Sequence, residues 1–125
     1  MLAEAVDMLE NADRLQRQFF RLQHGRAGPL WEPPVDLVDN GRQLALLVAL
    51  PGVPAERFDV LVEGQTVVVR GNRSVGAGLG PGAILRLEIP YGQFERRIVL
   101  PAGDYQLVGR QLEHGCLRII LELAP

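Results

Sequence analysis

Two short stretches of the chain have spacings on which chemistry could be built. Gly78, Gly80 and Ala83 fall at the G-x-G-x-x-A spacing of a dinucleotide-binding loop. Such a loop works when a helix begins inside it, so that free backbone amides and the positive end of the helix dipole meet a pyrophosphate. Pro81 and the alternating residues Ile84–Ile89 predict a strand at that point, and the motif fails on its context. His114 and Cys116 are two residues apart, which on a strand would turn a thiol and a base to one side. No third group is placed to orient them, and His114-Gly115 reads better as a two-residue hairpin turn, because His tolerates positive φ better than most residues. The acids are scattered, and neither H-E-x-x-H nor G-x-S-x-G occurs. All 13 basic residues are Arg, which excludes a Walker-A loop and lysine Schiff-base chemistry. Cys116 is the single cysteine, with His24 and His114 as the only histidines, so no disulfide within the chain and no zinc cluster of the common kinds is expected. The chain is therefore expected not to be an enzyme and to use no catalytic residues, cofactor or metal.

Arg96 is the charged residue that needs an explanation. It shares a strand face with Phe94, Ile98 and Leu100. A charge turned toward a core is costly unless it is paired, so Arg96 should meet a carboxylate or several carbonyls. An ion pair at an interface between two subunits would satisfy it; a bulge that turns it to water is the alternative.

The elements that must position such residues fall into two regions. Residues 1–23 lack Gly and Pro, and Met1, Ala5, Met8, Ala12, Leu15, Phe19 and Leu22 form a heptad seam that Leu2, Val6, Leu9 and Phe20 widen into a face. Acids come first and arginines later, which suits the helix dipole, so residues 1–24 are expected to be an amphipathic helical arm. Residues 25–34, with prolines at 29, 33 and 34, read as a linker, in which Trp31 is expected to pin the chain to a groove or to a neighbouring chain. From Val35 the period becomes 2. Eight short strands are expected: Val35–Val38, Gln43–Leu50, Phe58–Glu63, Thr66–Arg70, Ile84–Ile89, Phe94–Leu100, Tyr105–Leu112 and Cys116–Leu123. With turn signals between them and no helical pattern, residues 35–125 predict an all-β, immunoglobulin-like antiparallel β-sandwich. Its inner faces would carry Phe58, Val60, Val62, Val67, Val69, Phe94, Ile98, Leu100, Leu117, Ile119, Leu121 and Leu123.

The Gly-rich loop Ser74–Gly82 interrupts the regular spacing and leads into the Ile84–Ile89 strand, with Leu85, Leu87 and Ile89 on one face. A strand carried away from its sandwich on a flexible arm needs a pairing partner, and a second subunit is the natural one.

At 125 residues and a formal net charge of −2, the chain is one domain with a short appendage. The charge disfavours a nucleic-acid binder. No apolar run approaches the ~20 residues of a membrane span, and the start of the chain has no signal-peptide pattern, so the cytoplasm is the expected location.

These residues resemble a known family. Trp31-Glu32-Pro33-Pro34-Val35-Asp36, Leu50-Pro51-Gly52-Val53 and Val69-Arg70-Gly71-Asn72-Arg73 resemble the first half of an α-crystallin domain. The run Tyr91–Pro101 resembles its most recognisable signature, and His114-Gly115-Cys116-Leu117 with Ile119 and Leu121 its closing hairpin. The resemblance runs from about Trp31 to Leu123, roughly three quarters of the chain, and identifies a bacterial-type small heat-shock protein. It implies an ATP-independent holdase chaperone that binds partly unfolded clients. It also implies a homodimer by strand exchange, able to assemble further, in which Ile84–Ile89 pairs with Val35–Val38 of a partner. The interface would then hold Val35, Leu37, Leu85, Leu87, Ile89 and Arg96, the last matching the family's ion-pairing arginine. A groove between Phe58–Glu63 and Tyr105–Leu112 would bind clients or arms through Phe58, Val60, Val108 and Leu112. The apolar arm residues Leu2, Val6, Leu9, Leu15, Phe19, Phe20 and Leu22 are the other expected client surface. Four features depart from the pattern: no I-x-I motif follows the last strand, the Ser74–Gly82 loop is mostly Gly with small apolar residues where the family's is usually charged, Arg110 stands where the closing motif usually has Ala, and His114 where it usually has Asn. A CS-type adaptor co-chaperone, or an assembly module without client activity, is the alternative function.

Overall fold

The computed structural model describes residues 30–76 and 78–125. The expected helical arm and most of the expected linker lie outside them. Seven strands follow one another: β1 (Val35–Asp39), β2 (Leu44–Ala49), β3 (Phe58–Glu63), β4 (Thr66–Arg73), β5 (Gly92–Val99), β6 (Tyr105–Glu113) and β7 (Cys116–Leu123), with one 3-10 turn at Ala55–Arg57. They form two antiparallel sheets, ordered β1-β2-β7-β6 and β3-β4-β5. Each sheet turns one apolar face inward, and the two faces meet in a single core. Leu46, Val48, Leu117, Ile119 and Leu121 come from one side, and Phe58, Val67, Val69, Phe94 and Ile98 from the other. This is the expected β-sandwich.

Tight turns set the registers. Gly41 and Gly64 have positive φ in the turns that close β1–β2 and β3–β4. His114 and Gly115, at φ 54° and 74°, are the two loop residues between the paired Glu113 and Cys116. Positive φ at both central positions matches the right-handed twist of the flanking strands.

Three sequence expectations come out differently. Ile84–Ile89 forms no strand: it makes no ladder with any described residue, and Leu85 is 95% exposed. The alternation is present, but a β-strand exists only where a second strand takes up its amides and carbonyls. Leu123 was expected inside and is 60% exposed. It ends β7 opposite Tyr105, where the facing sheet no longer covers it, and its methyl lies close to Gly103. Within the stretch read as a linker, Trp31, expected to pin the chain to a surface groove or a neighbouring chain, is buried in the core of its own domain. Its ring stacks at 5.1 Å on Phe94, its backbone exchanges hydrogen bonds with Gln93 and Glu95, and its indole N–H donates to the Gly92 carbonyl at 3.2 Å. No helix begins at Gly78–Ala83, which removes the dinucleotide-loop geometry.

Candidate functional site: an open strand edge, a buried arginine and an inter-sheet groove

β1 forms one edge of the four-stranded sheet, and its outer backbone edge has no ladder partner among the described residues. Val35 packs against the core, while Leu37 and Val38 are exposed. Residues 84–89 are likewise an unladdered run, whose Ile84, Leu85 and Ile89 side chains lie in solvent. The two are not brought together within the chain. The expected interface residues Val35 and Leu37 thus sit on one element, and Leu85, Leu87 and Ile89 on another.

Arg96 lies opposite Val69 in the β4–β5 ladder, so it does face inward. Its guanidinium approaches the Glu32 carboxylate at 3.9 Å and donates to the Pro33 carbonyl at 3.5 Å. The Trp31 clamp on β5 brings Glu32 there, because Trp31 bonds to both neighbours of Phe94 and the next two residues then pass Arg96. The sequence asked for a carboxylate without naming it.

Arg73 was missed. It is the one buried charged residue among those described. Its Nε–H donates to the Pro51 carbonyl at 2.7 Å and an η-nitrogen to the Pro90 carbonyl at 3.4 Å. Burial lowers the guanidinium pKa from its ordinary value, yet Arg remains charged, so those carbonyls must replace its lost water. Arg73 thereby ties the root of the 74–90 excursion to the turn after β2. Period 2 carried on from Val67 and Val69 through Gly71 points to an inward Arg73; ending the predicted strand at Arg70 concealed it.

The groove lies where the two sheets part. β3 and β6 are edge strands of different sheets and lie side by side. At one end the Tyr105 N–H donates to the Gly64 carbonyl at 3.0 Å; at the other the Arg110 guanidinium lies 5.1 Å over the Phe58 ring. The strands therefore run antiparallel with an open seam between them. Val60 and Val62 form its floor from β3. On β6, Leu107, Val108 and Leu112 are exposed by 39%, 45% and 37%. A bulge between Leu107 and Gly109 shifts the alternation, so that Arg110 and Leu112 lie opposite the buried Ile119 and Leu117. A separate depression of about 520 Å³ lies on the β3-β4-β5 sheet, where Leu30, Arg57 and Phe58 meet Asp59, Arg70 and Glu95 of the outward register. Phe58 and Val60 thus belong to one of the two edge strands that flank this seam, and Val108 and Leu112 to the other. The expected arm residues Leu2, Val6, Leu9, Leu15, Phe19, Phe20 and Leu22 lie outside the described residues.

His114 and Cys116 are separated in role: His114 is in the turn beside Glu113, at 3.0 Å, and Cys116 begins β7. Among the described residues no group of three or more His, Cys, Asp or Glu could hold a metal ion, and no helix is long and apolar enough to cross a membrane.

Comparison with known proteins gives a consistent result. The chain is 29% identical over 93 residues to the 18 kDa antigen of Mycobacterium leprae, an alignment covering 73% of this chain and 61% of that protein. HSP18.5 from E. histolytica has a similar structure, with a TM-score of 0.65 and 28% identity over 76% of this chain and 90% of its own. A small heat-shock protein from Xylella fastidiosa, which has a distinct high order structure, is similar at a TM-score of 0.59 and 28% identity, over 76% and 89% of the two chains. The model of the Hsp20/alpha crystallin family matches residues 36–125. With its two-sheet sandwich, its inward Arg96 and its β3/β6 groove, this chain belongs to the Hsp20/alpha crystallin family.

Proposed function

We propose that this protein is an ATP-independent holdase, which binds partly unfolded proteins and holds them apart. Membership of a small heat-shock family supports a chaperone role in general. The observation that carries the finer reading is the open β3/β6 groove, where a partly exposed apolar floor is available to a client without any rearrangement of the core. A client segment seated there would be withheld from self-association, which needs no nucleotide and no covalent step. The apolar arm residues Leu2, Val6, Leu9, Leu15, Phe19, Phe20 and Leu22 are proposed as the second client surface, and the cytoplasm as the place of action.

The working unit is proposed to be a homodimer by strand exchange, from which larger assemblies can be built. Residues 84–89 of each protomer would add to the outer edge of β1 of the other, satisfying two sets of backbone groups at once and covering Leu37, Leu85 and Ile89. Arg96 and Glu32 would lie beside that edge, since Glu32 is three residues before β1.

Light-scattering mass of the full chain and of a form lacking Ser74–Ile89 tests the assembly. A dimer or larger species that becomes a monomer on deletion is the expected result. A full chain that is already monomeric would remove strand exchange and favour an adaptor-type co-chaperone. Client activity is read separately, as suppression of light scattering from a heat-aggregating model protein. Failure at every ratio tried would leave an assembly module.

A further inference from the structure

Register puts a cation in the seam between the two sheets. Residues directly opposite each other in an antiparallel ladder turn their side chains to the same face of the sheet. Leu107, Arg110 and Leu112 of β6 lie opposite Leu121, Ile119 and Leu117, which are wholly buried in the core. All three therefore turn to the core side, yet all three remain exposed. A side chain that faces the core side and still meets solvent lies where the facing sheet ends, which here is beside β3. The Phe58 ring, 5.1 Å from the Arg110 guanidinium, places Arg110 at that end of the seam.

The neighbouring charges are turned away from it. On β3, Asp59 and Glu63 alternate with Phe58, Val60 and Val62 and lie on the outer face of the smaller sheet. Glu56 and Arg57 line the depression on that same outer face. On β6, Glu113 pairs with Cys116 in the outward register and contacts His114. Asp104 has a carboxylate oxygen beside Gly64, at the far end of the seam. The six residues of β3, about 20 Å in length, lie between it and Arg110. Arg110 forms no ion pair with any described residue, and Phe58, over which it lies, is only 5% exposed. A guanidinium over an aromatic face still has N–H donors around its rim for a planar acceptor. Both walls of the seam are edge strands, so the shape that lies along it is an extended segment. The group that matches its Phe58 end is a carboxylate.

Resting on the reading of the β3/β6 groove as a client site, we infer that the groove selects extended segments carrying a carboxylate beside an apolar anchor, and that Arg110 makes the selection. Arg110 acts in both directions. It attracts an acidic segment and repels a basic one. By lying over Phe58, it also withholds that ring from a wholly apolar segment.

The test measures binding of synthetic peptides to the full chain, by fluorescence anisotropy of a neutral coumarin label. Leu alternates with Ser over about nine residues, long enough to span β3, and one Ser is replaced by Glu, Gln, Arg or Leu. The Glu peptide is expected to bind wild type about fivefold more tightly than the Gln peptide at low salt, and the Arg peptide more weakly than either. Arg110→Ala and Arg110→Gln should abolish the difference between Glu and Gln, and Arg110→Glu should make the Arg peptide the tightest. The Leu peptide should gain affinity in Arg110→Ala, because Phe58 is uncovered. A purely structural role for Arg110 would instead weaken all four peptides together, and thermal melts establish that each variant is folded. Glu and Gln peptides that bind wild type alike, or a preference for Glu that survives Arg110→Glu, would overturn the inference and leave the groove as a client site. Binding by none of the peptides, or binding untouched by Leu112→Asp, while a heat-aggregating client is still protected, would overturn the groove as the client site and this inference with it. Loss of both binding and protection would overturn the holdase reading.

Discussion

Gly71 shows how one missing side chain fixes the position of a β-strand. A Cβ there would collide with the Arg57 carbonyl oxygen, and would stand 2.7 Å from the Phe94 ring and 2.9 Å from Phe58 Cα. Two of these neighbours are backbone and the third is locked under Trp31, so none can yield cheaply. Gly71→Ala is expected to cost about 2–3 kcal/mol, seen as a fall in Tm of roughly 10 °C or more. Gly109 is the control: a Cβ would meet Ile120 at an ordinary 3.8 Å, so Gly109→Ala should leave the Tm unchanged or slightly raised. Arg96 was legible in the sequence because a charge on an apolar strand face demands a partner. That its partner is Glu32 was not legible, since nothing local says that the chain before β1 returns to β5. Arg73 was hidden by a strand end placed three residues early. Arg110 was visible as a departure from the resemblance, but its place over Phe58 depends on a bulge that no residue type announces.

At the scale of elements, period 2 and turn residues located all seven strands, because both act over two to six residues. Which strands share a sheet is not written in local pattern, since β2 and β7 pair across some seventy residues. Residues 84–89 mark the limit of such reading. The alternation is real, but whether it becomes a strand is decided by what lies beside it. Within one protomer these residues contribute no ladder hydrogen bonds. Proline at Arg86 or Leu87 should therefore leave the unfolding of an isolated protomer unaltered. Adjacent residues point their amides to opposite sides, so one of the two substitutions removes a donor aimed at the β1 edge. One variant is expected to dissociate at about tenfold higher concentration than wild type, by light-scattering mass over a dilution series. If both assemble as wild type does, residues 84–89 are not an exchanged strand.

At the scale of the molecule, the described residues leave several surfaces of the sandwich uncovered among themselves: the β1 edge, the 84–89 run and the β3/β6 seam. Covering them by a second copy links folding to association. The Tm should then rise by several degrees when protein concentration is raised about a hundredfold, because mass action favours the assembled state. A concentration-independent Tm would mean that assembly, if present, adds nothing to the stability of the fold.

The strand order of the larger sheet also bears on how the protein is made. β7 lies between β2 and β6, so the last strand in the chain is an inner strand of the sheet. Its Leu117, Ile119 and Leu121 are wholly buried against residues brought in by β2, β4 and β5. On a ribosome, β2 must wait some seventy residues for its neighbour, since Leu44 pairs with Leu121. Until residues 116–123 have cleared the exit tunnel, the apolar face of β2 has no inner partner and the core cannot close. During that interval its own nascent chain presents the exposed apolar strands that it is proposed to hold in others.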